Sequence, residues 1–228
     1  MKKPAEELIV GLLETKSVLK QEVYEMTLEK FRIFREVLSE VAESINSKVE
    51  GHKALKINYQ EKGPFEADLT FGGDLLAFTM HTNTFKFDFD HFIYNAAYVK
   101  ENRDRAFCGI IQIYNFLADS LRYHRQNDLG YLIGRIFVNK EGKFFVEGKR
   151  QLAFLYNDFG KEELTKAQMK NIIESAILYT LDFDLLTPPY EEVQLISVME
   201  KMQQSGIMAL KTGKRVGFKF SADSDDIK

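Results

Sequence analysis

The chain has 228 residues, 45% of them apolar, and carries 31 basic against 34 acidic side chains for a formal net charge of −3. That length and apolar share support a sizeable core in one large domain. The small acidic excess excludes a global pull toward nucleic acid or an anionic membrane, and the single cysteine, Cys108, excludes an internal disulfide and fits a reducing, cytoplasmic setting.

Lys2-Lys3 ahead of Leu8-Ile9-Val10 looks like the start of a leader. The apolar run ends at Leu13, Glu14 follows, and no small-residue cleavage site appears, so neither a signal sequence nor a membrane span is expected. From Pro4 to about Val49 the pattern is one long helix, with Pro4 suited to the first turn and Gly51 to the far end. Phe31, Phe34, Leu38, Val41 and Ile45 step by three and four, a coiled-coil-like seam. Run backward, that register reaches Thr27 and Tyr24 and then Lys20 and Ser17, so the seam fades. Leu8, Leu12, Leu19 and Val23 form a stripe of their own. A helix of about 45 residues would span about 70 Å, wider than one domain of this size. Either two helices join near Thr15–Ser17 and fold on the sheet, or one helix self-associates. The expectation is a helix that packs on its own domain through Phe31–Ile45 and gives its N-terminal half to a dimer.

Strand periodicity begins near Ala54. Leu55, Ile57 and Tyr59 alternate with polar residues, Gly63-Pro64 turns, and Phe65, Ala67, Leu69 and Phe71 alternate with Glu66, Asp68 and Thr70. Leu75 to Met80 is apolar on nearly both sides, as in a strand covered on both faces. Phe85, Phe87 and Phe89 alternate with Lys86, Asp88 and Asp90, the pattern of a half-buried strand. Thr82-Asn83-Thr84 is either a turn or a point the strand runs through. Connections this short make an antiparallel meander, which Ile93–Val99 is expected to continue ahead of a polar loop at 101–105. His81, Asp88, Asp90 and His91 are metal-ligand types, but strand parity puts the histidines and aspartates on opposite faces, so no metal site is expected.

Residues 107–124 are read as a short strand over 107–113 passing into a helix at about 114–124. Cys108 falls in the apolar run Phe107–Ile111, which suggests a buried, inert thiol. Tyr131–Val138 and Phe144–Glu147 form a hairpin closed by Asn139–Gly142, and a further strand is expected over Gln151–Tyr156. Thr165 with Gln168 reads as a capping box ahead of a helix whose stripe is Met169, Ile172, Ile173, Ala176, Ile177 and Thr180. Pro188-Pro189 separates it from a second helix with Val193, Ile196, Met199 and Met202 on one face, read as core. Together these give one α+β domain over 1–210: a long helix at 1–50, a mostly antiparallel sheet within 54–156, and a helical pair at 165–205 covering the sheet with the first helix. A flexible tail is expected over 211–228.

No glycine-rich phosphate loop, nucleophile elbow or paired-cysteine zinc motif of recognised spacing is present, and no cofactor or catalytic residue is assigned. The densest polar cluster is Arg122, Tyr123, His124 and Arg125, with Arg135 and Arg150 as residues the fold could bring near. Arginine forks beside a histidine suit a phosphate or carboxylate. Two functions follow as expectations. The first is a non-enzymatic binding or assembly module, acting as a homodimer or with a protein partner. The second is a small-anion-binding domain or enzyme built on the Arg/His cluster. Nucleic-acid binding through Lys211–Phe220 is not expected, given the acidic end and net charge.

Overall fold

A computed structural model describes residues 4–51, 55–125, 128–150, 152, 156–183, 187, 189–199 and 201. The N-terminal pattern forms one continuous rod of α1 (Ala5–Leu12), a π-helical turn (Leu13–Ser17) and α2 (Val18–Asn46), about 60 Å long. The weak point near Thr15–Ser17 widens into the π-turn instead of breaking, and Thr15 Oγ1 donates to Gly11 O at 2.7 Å. α2 buries Leu19, Val23, Thr27, Phe31, Phe34, Leu38 and Val41. The seam therefore extends back through Thr27, as its register requires, and then shifts to Val23 and Leu19. Asn46 fastens the end of α2 to the sheet: its Nδ2 donates to Ile57 O at 2.7 Å and its Oδ1 accepts from Ile57 N at 2.8 Å.

The sheet is antiparallel and seven-stranded: β1 (Asn58–Gly63), β2 (Glu66–Phe71), β3 (Asp74–Met80), β4 (Phe85–Lys86), β5 (Phe107–Leu117), β6 (Tyr131–Asn139) and β7 (Phe144–Gly148). The order is β1-β2-β3-β5-β6-β7, with β4 in line with β3 on the same edge of β5: β3 pairs from Leu117 down to Ile111, and β4 with Cys108 and Phe107. Thr82–Thr84 interrupts that line. Ala67, Leu69, Leu76, Phe78, Ile111, Ile113, Ile136, Val138, Phe144 and Val146 face α2 and the C-terminal helix α5 (Lys166–Leu181) in the main core. The stripe Met169, Ile172, Ile173, Ala176, Ile177 and Thr180 is buried.

The alternate residues Cys108, Ile110, Phe137 and Phe145 face the other side, where Ile93, Val99, Ala106 and Phe159 make a second, smaller core. This cover corrects two expectations. Residues 92–106 do not extend the meander; they form a 3₁₀ turn (Phe92–Asn95), α3 (Ala97–Glu101) and a second 3₁₀ turn (Arg103–Ala106). The alternation at 85–90 is strand only at Phe85–Lys86, because β5 starts at Phe107 and offers nothing further to pair with. Beyond it the chain turns, with His91 N donating to Asp88 O, and Phe89 is left 75% exposed. Asn139 ties the cover to the β6–β7 hairpin: its Oδ1 accepts from Glu141 N and Lys143 N at 3.0 Å, and its Nδ2 donates to Tyr98 Oη at 2.8 Å.

Three further details differ. β5 runs to Leu117, four residues past the expected strand end, because Tyr114–Leu117 keep pairing with Asp74–Ala77; α4 is the short Ala118–Arg122. Thr165 is the N-cap of α5 but makes no side-chain cap bond, and Gln168 Nε2 donates instead to Glu162 Oε2 at 3.0 Å. The second C-terminal helix is described as one turn, α6 (Tyr190–Val193), with Val198, Met199 and Lys201 helical again after a break, and of its expected core face Ile196 and Met199 are exposed. The expected strand at 151–156 and the tail at 211–228 lie largely and wholly outside the described residues.

Candidate functional site

Among the described residues, the first helical segment buries none of its side chains. Every residue from Pro4 to Val18 is exposed, and burial begins at Leu19. The 8 residues of α1 and the 5 of the π-turn therefore stand about 20 Å beyond the core. Ala5, Leu8, Ile9, Leu12 and Leu13 fall at i, i+3, i+4, i+7 and i+8, one apolar face of a helix. Leu8 is 53% and Leu12 59% exposed. In a soluble domain such a stripe ordinarily faces a core; here, within the described residues, it faces solvent. Where the segment meets the body, Ser17, Lys20, Gln21 and Tyr24 line one side of an open groove of about 660 Å³, and Thr82–Phe85 line the other. Thr84 Oγ1 donates to Lys20 O at 3.1 Å and holds the loop against the helix.

The cationic residues singled out by sequence take separate positions. Arg122 and His124 are exposed at the end of α4, where the guanidinium of Arg122 lies 5.4 Å from the Tyr123 ring centre. His124 sits at φ 50°, an uncommon conformation for a residue with a side chain. Arg125 is buried, with its side chain only 3% exposed, and Asp128 Oδ2 is 3.8 Å from its Nη1. None of its three guanidinium nitrogens has a hydrogen-bond partner among the described residues. Arg135, in the middle of β6, pairs with Glu147 of β7. Arg150, after β7, pairs with Asp182 beyond α5 and lies over the Tyr179 ring. Arg135 and Arg150 are thus each held by a carboxylate of another element.

Glu147 also reaches His91, whose Nε2 is 3.4 Å from Glu147 Oε1. The imidazole stacks on Phe87 at 4.4 Å and tilts against Phe92 at 4.6 Å. This Arg135–Glu147–His91 group links the sheet to the second core, and the parity argument missed it because residues 87–91 are not strand. Among the described residues, no three histidine, cysteine, aspartate or glutamate side chains are grouped to hold a metal ion. Cys108 is fully buried, and desolvation pushes its thiol well above the usual range, so it stays protonated and unreactive. No helix among the described residues is long and apolar enough to cross a membrane. The chain matches no family model, no curated protein and no solved structure, so its functional reading rests on its own geometry.

Proposed function

We propose that the chain is a non-enzymatic binding or assembly module that docks another protein chain on the exposed face of its N-terminal helix. The observation that carries this reading is the stripe Leu8, Ile9, Leu12 and Leu13, exposed on a segment with no buried side chain among the described residues. Holding these side chains in water on an ordered helix gains no burial for the single chain, and isolated helical turns are marginal in water. A docked chain would supply the missing contacts. The test is native mass spectrometry of the purified full chain beside a double variant, Leu8→Glu with Leu12→Glu. The wild type is expected above the mass of one chain and the variant at one chain. The variant should still unfold cooperatively, with a melting temperature independent of protein concentration, because exposed positions outside the core contribute little to the single chain's own stability. Equal masses for wild type and variant would overturn the reading.

A second reading, binding of a small anion, is favoured by one observation: Arg125 is a buried guanidinium whose nitrogens have no hydrogen-bond partner among the described residues. Buried charged donors are normally hydrogen-bonded, and a phosphate or carboxylate would satisfy this one. Inorganic phosphate is therefore expected to raise the melting temperature of the wild type by about 5–10 °C when near a hundredfold over its dissociation constant. The Arg125→Met variant is expected not to respond. Equal shifts in both proteins, or none in either, would remove this reading.

A further inference from the structure

We infer that the occupant of the exposed helix face is a second copy of this chain, docked antiparallel about a two-fold axis close to Leu12. This rests on the docking reading above and names its partner. Three features support it.

The first is charge. The segment carries Glu6 and Glu7 in its first turn, and Lys16 and Lys20 at its other end. In an antiparallel pair centred near Leu12, the glutamates of one copy lie beside the lysines of the other, twice over. A parallel pair would set glutamates against glutamates and lysines against lysines. The segment is therefore complementary to itself in one orientation only, as a two-fold interface requires.

The second is extent. The antiparallel register brings the first turn of the partner alongside Ser17–Lys20, where the groove between α2 and the Thr82–Phe85 loop begins. The half-exposed side chains Leu8, Ile9, Leu12 and Leu13 and the groove wall together offer on the order of 500 Å² per copy. A pair would bury roughly 1,000 Å², the low end for a specific interface and the size of a readily reversible one.

The third is Gly11. Glycine inside a helix is unfavourable, and no described atom lies within 4 Å of where its Cβ would be, so the single chain gives no packing reason for it. It follows Leu8 by three positions, at the edge of the apolar stripe, where the lack of a side chain leaves that edge low.

The test uses the full-length protein in three forms. With Leu12→Cys, mild oxidation is expected to give a disulfide-linked dimer, since the axis brings the two positions within bridging distance; buried Cys108 does not compete. A Glu29→Cys control, exposed on α2 away from the segment, is expected to stay monomeric on a non-reducing gel. Reversing charge at one end (Glu6→Lys with Glu7→Lys) or at the other (Lys16→Glu with Lys20→Glu) is expected to weaken self-association about tenfold or more by sedimentation velocity. Mixing the two reversed proteins is expected to restore a dimer, because each supplies the charge the other needs. A homodimer that Leu8→Glu with Leu12→Glu dissociates, but whose Leu12→Cys form does not self-link, overturns the antiparallel register and leaves the docking reading standing. A complex with a different chain, lost in the same Glu variant, overturns the second copy and again leaves docking standing. A wild type that remains one chain, like its Glu variant, overturns both.

Discussion

Replacing Gly109 is expected to be among the most damaging single changes in the protein. Gly109 lies on β5 where α2 crosses it, and the residue above is Thr27, itself fully buried. A Cβ at position 109 would sit 2.8 Å from both Cβ and Cγ2 of Thr27 and closer still to its Oγ1. Real Cβ atoms do not approach carbon so closely, so the helix or the strand must move. Neither can move alone: the same helix carries Phe31, Phe34, Leu38 and Val41 into the core, where Phe34 meets Phe78 at 5.6 Å between ring centres. Close-packed interiors transmit such a displacement instead of absorbing it. Gly109→Ala is expected to cost about 2–3 kcal/mol, and Gly109→Val more, as overpacking of a filled core does. For a chain of this size, that lowers the melting temperature by roughly 4–12 °C for alanine. The control is Thr27→Ala, which removes Oγ1 and Cγ2 and gives up the bond from the threonine hydroxyl to Val23 O at 2.7 Å. In the Thr27→Ala, Gly109→Ala double variant, the two costs are expected to be clearly less than additive, since one removes most of what the other strikes. Strict additivity, measured by urea denaturation, would show that the crossing is not where the strain arises.

The same crossing shows which parts of this fold are legible in sequence. Thr27 falls on the seam when the register of Phe31–Ile45 is run backward, and it is buried as that register demands. The glycine opposite it lies in a strand pattern, where a missing side chain marks close approach of another element; only the fold says which element. The stripe of Leu8, Leu12, Leu19 and Val23 is visible as a repeat, yet its first two members are exposed and its last two buried. Hydrophobic periodicity reports the face of a helix; where burial stops depends on where the sheet ends, and that is set by strands 40 or more residues away. Residues 85–99 misled for a related reason. Phe87 alternates as a strand residue would, but its ring packs against Phe137 and Phe145 in the second core from a turn. Alternation cannot distinguish a strand from a cover when the partner strand has run out. The arginine cluster was legible as a concentration of charge, whereas the burial of Arg125 and the separate carboxylate partners of Arg135 and Arg150 arise from tertiary placement alone.

Asp68 carries the second large effect, and its sign is opposite to the usual one for a carboxylate. It sits on β2 between Gln60 of β1 and Ala77 of β3, and only 2% of it is exposed. Its Oδ1 has no hydrogen-bond partner among the described residues, and Lys62 Nζ is 4.0 Å from its Oδ2. Burial pushes its pKa up to about 6 from 3.8, the nearby Glu66 charge adds to the rise, and Lys62 opposes it. The folded chain therefore holds this proton more tightly than the unfolded chain. Above about pH 6 the group is ionised in both states, and the folded state bears the full cost of the buried charge, about 3 kcal/mol for a shift of about two pKa units. As pH falls through 6 toward 4, the folded form takes up the proton first and the cost fades. Asp68→Asn, which removes the charge at nearly constant volume, is expected to be more stable than wild type by about 3 kcal/mol at pH 7.5 and by less than about 1 kcal/mol near pH 4. Urea denaturation of both proteins across that range reads the difference directly, and other titrating groups cancel in the comparison. Lys62→Met is expected to move the midpoint of the difference to higher pH, since it removes the attraction of Lys62 that lowers the Asp68 pKa. Parallel stability profiles for wild type and Asp68→Asn would show that the carboxylate is solvated in the folded state. A wild type more stable than Asp68→Asn at pH 7.5, with that advantage lost toward acid, would mean that the carboxylate is paired more strongly than the 4.0 Å separation from Lys62 allows.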